Sequence, residues 1–357
     1  MILVAVAVVV LQISCTSVVS PCDGQWEDLG FKAKFALRLV LAEPYLYVCA
    51  GSDGLWKRDV RRMSEWQYLG LRDTSLGKYT NVGALDMDVR GEDILVAYNG
   101  SAPHVDPKST VAIWRSTNEG LNWFRSDSGI VETIPDPRNE YNVINSLQRS
   151  PHRQDIVLAK IGPATYRSIN NGHIWHLVQG RRDAAANSDF VRFNPYHTGE
   201  VWFYGETSMF APYMFRSTDY GETFGGSVNF NALGFPSDGA VDDIAFDSGN
   251  PNIVYAATSY GVIKTTDGGY TWHTNALRVP DNGFVFRMAH HPSIGGVLYL
   301  AGSRRVYVTR DAGARVQLMG ELGRGFITSL VLDIQGNQLF VGTTESGVYA
   351  LKLTVGE

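Results

Sequence analysis

The chain has 357 residues, a formal net charge of −5, and 44% hydrophobic against 19% charged side chains. That length holds one large domain or two ordinary ones, and the composition is that of a folded protein rather than a disordered one. The acidic balance, relieved only by short basic pairs such as Arg61–Arg62 and Arg181–Arg182, argues against a nucleic-acid partner, which needs a clustered positive field.

Residues 1–22 carry no charged side chain, and residues 2–11 are continuously apolar. The run is too short to span a bilayer and suits the hydrophobic region of a secretory signal, with small residues over 14–20 as cleavage positions. The stretch "LQISC" also resembles a bacterial lipoprotein cleavage box, with Gln12 where Leu is usual. A lipid anchor at Cys15 is therefore the alternative to simple secretion. The expected layout is a signal segment over 1–22 and a single domain over 23–357, with no transmembrane span.

Cys15, Cys22 and Cys49 form no CxxC, so zinc is not supported. Cys22 and Cys49 are available as a pair in an oxidising compartment. Alternatively Cys49, inside the apolar "YLYVCAG", is a small core residue. No motif for a nucleotide, a haem or a catalytic metal is present, and no cofactor is expected.

The remainder is rich in aromatics (17 Tyr, 16 Phe, 8 Trp) and in glycine (37), which favours strands and tight turns. One turn recurs. Ser116, Asn118, Gly120 and Trp123 are followed at the same spacing by Ser168, Asn170, Gly172 and Trp175. Then come Ser217, Asp219, Gly221 and Phe224, next Thr265, Asp267, Gly269 and Trp272, and finally a worn copy at Thr309, Asp311 and Gly313. Successive copies start 52, 49, 48 and 44 residues apart, the period of a four-stranded propeller blade. Ser or Thr with Asp or Asn bonds nearby backbone N–H groups, Gly supplies positive φ, and the aromatic is expected to pack the turn on its own blade. These residues resemble the Asp-box, or BNR repeat, S-x-D-x-G-x-T-W.

Each box sits in a unit of apolar strands, for example "DDIAFD", "IVYAAT" and "GVIKTT" over 242–266. Two units without a box keep this order, 35–70 and 327–353, and the second stops after three strands. "GQWEDLG" (24–30) resembles the outer strand "EWQYLG" (65–70) and is expected to complete that last unit. The reading is all-β, a seven-bladed β-propeller with blades starting near residues 35, 84, 144, 189, 241, 285 and 327. Closure by the N-terminal strand removes open sheet edges.

Alternating strand direction puts the boxes and the short first-to-second turns on one face. The longer connections, 98–112, 125–142, 180–188 and 206–215, fall on the other. Loops on a rigid scaffold carry function. The candidates for partner binding there are His104, Asp106, Arg138, Tyr141, Arg181, Arg182, Asp183, Phe210 and Tyr213. Arginines with aromatics suit a protein contact or a polysaccharide surface. On the inner strands, Asp86, Asp243, Arg192 and Arg287 are candidates to line the central channel, where paired carboxylates perform glycoside chemistry. Channel-lining polar groups are equally a structural feature of inactive propellers.

Among Asp-box propellers, sialidases carry an early Arg-Ile-Pro; the single Ile-Pro here, Ile134–Pro135, follows Thr133. Xyloglucan-active hydrolases use two propellers, and sortilin-type receptors add cysteine-rich modules. In size and layout the chain most resembles the photosystem II assembly factors, exported single propellers that act as non-catalytic scaffolds. The resemblance implies an exported binding scaffold for a protein or a glycan, with a glycoside hydrolase at the channel as the alternative.

Overall fold

The computed structural model describes residues 26–33, 35–73, 82–100, 111–130, 144–162, 164–178, 188–206, 211–235, 239–280 and 283–353. Their regular structure is all strand, and among them no helix is long and apolar enough to cross a membrane. The strands form seven antiparallel sheets.

From the inner strand outward, blade one comprises Arg38–Ala42, Tyr45–Cys49, Leu55–Asp59 and Gln67–Gly70, and blade two Gly83–Arg90, Asp93–Asn99, Val111–Ser116 and Phe124–Arg125. Blade three is Ile144–Arg149, Val157–Ile161, Ala164–Ser168 and His176–Val178; blade four is Ser188–Phe193, Val201–Glu206 and Pro212–Ser217. Blade five is Val241–Phe246, Val254–Thr258, Gly261–Thr265 and His273–Leu277, and blade six Arg287–His290, Leu298–Ala301, Arg305–Thr309 and Gln317–Glu321. Blade seven is Ile327–Asp333, Gln338–Thr343 and Val348–Lys352, completed by Trp26–Asp28 from the other end of the chain.

That last strand pairs antiparallel with the third, Trp26 opposite Leu351 and Asp28 opposite Tyr349. The ring is closed where the sequence places the closure. Blade four departs from the expected four strands. After Phe224 come Gly225 and Gly226, the latter at φ +64°, and glycine inside a strand weakens pairing. Its outer edge is reduced to a bridge between Arg216 and Gly225, with Val228 N donating to Met214 O at 3.1 Å.

Second strands such as Val157–Ile161, Val254–Thr258 and Leu298–Ala301 are buried along their whole length. Both of their faces lie against neighbouring blades, so they read as apolar runs rather than alternating ones. Seven apolar clusters fill the seven gaps between successive blades. The cluster that closes the ring joins Leu39, Leu46 and Val48 of blade one to Phe340, Val348 and Ala350 of blade seven. Cys49 is a free thiol in the core between blades one and two; Cys15 and Cys22, with the rest of residues 1–22, lie outside the described residues.

The repeated turns share one hydrogen-bond pattern. In the fifth blade, Thr265 Oγ1 accepts the Gly269 N–H at 2.9 Å and donates to Asp267 Oδ1 at 2.7 Å, while Asp267 Oδ1 accepts the Thr271 N–H at 2.9 Å. Ser116, Ser168, Ser217 and Thr309 bond Gly120, Gly172, Gly221 and Gly313 in the same way. The glycines have φ between +77° and +102°, the left-handed region open to them without a Cβ penalty.

The tryptophans ending three of the boxes do more than pack on their own blades. Trp123 Nε1 donates to Leu69 O of blade one at 2.7 Å, and Trp175 Nε1 to Ser126 O on the blade-two side at 2.7 Å. Trp272 is buried, edge-on to Trp202 of blade four with centroids 5.8 Å apart. Phe224 follows the expectation, packing on Phe203 of its own sheet at 4.4 Å. The box glycines also face the preceding blade: Gly120 lies against Leu69, Gly172 against Leu95, Gly221 against Leu158, Gly269 against Trp202 and Gly313 against Leu277. The box locks a hairpin and seats it on its neighbour.

Candidate functional site

The four inner-strand candidates meet in the central channel. Arg192 Nη2 donates to Asp243 Oδ1 at 2.6 Å, and Tyr204 Oη donates to the same oxygen at 3.3 Å. Arg38 Nε pairs with Asp86 Oδ1 at 3.1 Å. Arg287 is held by carbonyls, its Nε donating to Thr328 O at 2.7 Å and its Nη1 to Phe286 O at 2.6 Å.

A repeated feature positions the two aspartates. Four inner strands carry a register shift, before Asp86, Ser146, Asp243 and Ser329. A bulge re-aims the side chain that follows it, and each of these polar side chains reaches the next blade's inner strand. Asp86 Oδ2 accepts the Leu147 N–H at 2.9 Å, Ser146 Oγ the Val191 N–H at 3.4 Å, and Asp243 Oδ2 the Met288 N–H at 2.8 Å. Ser329 Oγ accepts the Leu39 N–H at 3.0 Å, joining blade seven to blade one. Asp86 and Asp243 are therefore staples between blades as well as partners of arginine.

The channel has two chambers. Arg38, Gln148, Arg192, Asp243 and Arg287 border both and form a polar septum between them. On the long-loop side is a cavity of about 110 Å³ walled by Phe190, Tyr204, Asp242 and Thr328 among others. On the Asp-box side the space widens to about 690 Å³, with a largely apolar wall that includes Val40, Ala245, Ala289, Val331, Pro151, Pro195 and Pro292.

Burial shapes the acidity of this cluster. It pushes the Asp86 carboxyl up, against the pull of Arg38. Burial also raises Asp242 to about 6, opposed by Arg287 and reinforced by Asp243 and Glu206. The Tyr204 phenol is raised by burial to about 12. Burial disfavours the Arg192 cation, but Asp243, Tyr204 and Asp86 together more than compensate, leaving it raised. Asp242, half-buried beside Asp243, is absent from the sequence candidates. Its signal was a doubled carboxylate, "DD", at the start of an inner strand.

Of the loop candidates, His104, Asp106, Arg138, Tyr141, Arg181, Arg182, Asp183 and Phe210 lie outside the described residues. Tyr213 is a strand residue rather than a loop one, opposite Gly205 and half-buried, with its ring 5.6 Å from Phe215. The long-loop face also has a described arc that loop length did not flag. Phe284 and Phe326 are exposed there, in the connections entering blades six and seven. Among the described residues no group of three or more His, Cys, Asp or Glu could hold a metal ion.

No family model and no curated protein matches the sequence. Solved structures do match the fold. A GH74 enzyme of Niastella koreensis aligns at a TM-score of 0.68 and 18% identity, covering 91% of this chain and 53% of its own. The chain thus spans about half the length of that enzyme. YCF48 bound to a D1 peptide aligns at 0.62 and 14% identity, covering 92% of this chain and 97% of its own. The extracellular domain of BT4673, a hybrid two-component system of B. thetaiotaomicron, aligns at 0.61 and 12% identity, covering 92% of this chain and 40% of its own. These similarities join enzymes and a peptide-binding propeller on one architecture, and what they share with this chain is the fold: it is a seven-bladed β-propeller.

Proposed function

We propose that the chain is an exported, non-catalytic binding scaffold, one propeller following a signal segment, that engages a protein partner through its long-loop face. One observation carries this reading. Asp86 and Asp243, the carboxylates best placed for channel chemistry, are each committed to a backbone N–H of the next blade and to an arginine. A general acid or nucleophile must instead present its oxygen to a substrate. The cavity that both carboxylates border is about 110 Å³, below the range of roughly 300–1,000 Å³ usual for small-molecule pockets, and the chamber of about 690 Å³ that Asp243 also borders has a largely apolar wall. The YCF48 structure with a bound peptide, which this chain matches along nearly its whole length, supports a peptide partner over a polysaccharide.

A glycoside hydrolase is the second reading, and Asp242 favours it. Its carboxyl, raised to about 6, has the acidity of a general acid at neutral pH. Two assays separate the readings. Sialosides, xyloglucan and related polysaccharides are incubated with wild type and Asp242→Asn, and reducing ends are counted. The full chain and an Arg181→Ala, Arg182→Ala, Phe210→Ala variant are used to capture proteins from cell envelope and medium. The scaffold reading expects no turnover and a protein retained by wild type but lost in the variant. Turnover abolished by Asp242→Asn would sink it.

A further inference from the structure

We propose that the arc of the long-loop face over blades six and seven docks an acidic segment of a protein partner, seating one large apolar side chain between Phe284 and Phe326. This rests on the protein-binding reading above and names the surface and the chemistry of the partner.

Phe284 and Phe326 are 54% and 61% exposed. Single exposed apolar residues need no explanation, but these two flank one turn. A Cβ on Gly302 would lie 2.9 Å from Phe284 O, and Ile327, the residue after Phe326, donates its N–H to Ser303 O at 2.8 Å. Their backbones are pinned while the rings project. Phe286, behind Phe284 with centroids 6.2 Å apart, donates its N–H to Ala301 O at 2.8 Å. Phe326 donates its N–H to Thr344 Oγ1 at 3.0 Å. Backbone held in place in the free protein need not be ordered on binding. The ledge continues to the channel mouth, where Arg287 donates to Phe286 O.

The charge around the ledge is opposite to that of the whole chain. Arg278, Arg304 and Arg324 are exposed and Arg287 and Arg305 half-buried, against Glu321, Glu345 and, facing Arg287, Asp242 among the described residues. Glu321 is shared by Arg305 at 2.9 Å and Arg304 at 3.6 Å. Guanidinium groups match carboxylates in a planar, two-bonded geometry that neutral sugar hydroxyls do not offer. An aromatic anchor ringed by arginine is the usual composition of an energetic centre in a protein interface.

The test is fluorescence anisotropy of the full chain with a labelled hexapeptide of aspartates and glutamates around one phenylalanine. One control peptide replaces the acids with lysine; another replaces the phenylalanine with glycine. The variants are Phe284→Ala with Phe326→Ala, and Arg304→Glu with Arg324→Glu, each checked for an unchanged melting temperature. The expectation is saturable binding of the acidic phenylalanine peptide alone, weakened at least about tenfold by the aromatic pair and made less salt-sensitive by the charge reversals. Equal binding to the aromatic variant, preference for the lysine peptide, or no binding at about 1 mM peptide overturns the proposal. A protein captured by wild type, kept by the aromatic variant and lost only with Arg181→Ala and Arg182→Ala overturns it while leaving the protein-binding reading intact. A polysaccharide retained through Phe284 and Phe326, with no peptide bound, overturns both.

Discussion

Gly269 of blade five stands against Trp202 of blade four, so close that a Cβ there would overlap the indole Cη2. The glycine of the repeated turn is thus required twice, by its φ of +96° and by the neighbouring blade. Gly269→Ala is expected to destabilise the protein by about 1–3 kcal/mol through overpacking, with a further penalty for the left-handed backbone. Gly323→Ala, at an open position with nothing within 4 Å, is the control and is expected to be close to neutral. Urea unfolding of the two variants checks the difference.

The staple formed by Asp243 predicts asymmetric losses. Asp243→Ala removes the acceptor of Met288 N–H and leaves the half-buried Arg192 beside the channel without its carboxylate. Breaking a fully buried pair costs about 3–5 kcal/mol, and the loss here is expected toward the lower end, about 3 kcal/mol. Ser329→Ala removes only a neutral acceptor from Leu39 N–H and is expected to cost about 1–2 kcal/mol. Denaturant midpoints rank the two, and a larger loss for Ser329→Ala would contradict the account.

Asp242 predicts a pH dependence of defined sign. Its carboxyl is raised to about 6 in the folded protein, against about 3.9 in an unfolded chain. Between those values the folded state holds the proton that the unfolded state has released, so stability falls as pH rises from about 4 to about 6 and is level above. Asp242→Asn removes that fall and raises stability at neutral pH, by up to about 3 kcal/mol. Thermal melts of both proteins at pH 4 and pH 7 give the measurement; the variant's gain is expected at pH 7 only.

Ring closure predicts a threshold. Trp26–Asp28 supplies the outer strand of blade seven, with Trp26 packed on Gly320 of blade six and edge-on to Tyr349 at 6.5 Å. Leu29 O accepts hydrogen bonds from Trp66 Nε1, at 2.8 Å, and from Arg58 of blade one. A chain starting after Gly30 loses these ties and exposes the edge of Val348–Lys352, and unpaired edges recruit other strands. A lower melting temperature and increased light scattering are expected, both reversed by adding the missing strand as a peptide.

The loop candidates show where sequence reading ran out. Loop length singled out the connections over blades two to four. The exposed aromatics found elsewhere on that face, Phe284 and Phe326, sit in shorter connections, and nothing local distinguishes them from the buried Phe230 or Phe246. Exposure belongs to the assembled surface. Tyr213 was misplaced for a related reason: blade four's third strand begins at Pro212, and a proline at a strand's first residue is compatible with pairing.

What the sequence by itself determined is everything the turn chemistry repeats: the period, the number of blades, the closing strand and the inner-strand positions of Asp86, Asp243, Arg192 and Arg287. Those features depend on neighbours a few residues apart and on the alternation of strands. Only the tertiary structure decided what each repeat touches. That Trp123 bonds Leu69, that Asp243 staples Met288 and that Phe224 is followed by a lost outer strand all depend on the adjoining blade or on a broken sheet edge. Contacts between residues some fifty positions apart are set by how the blades twist and close, a relation that no short stretch of the chain encodes.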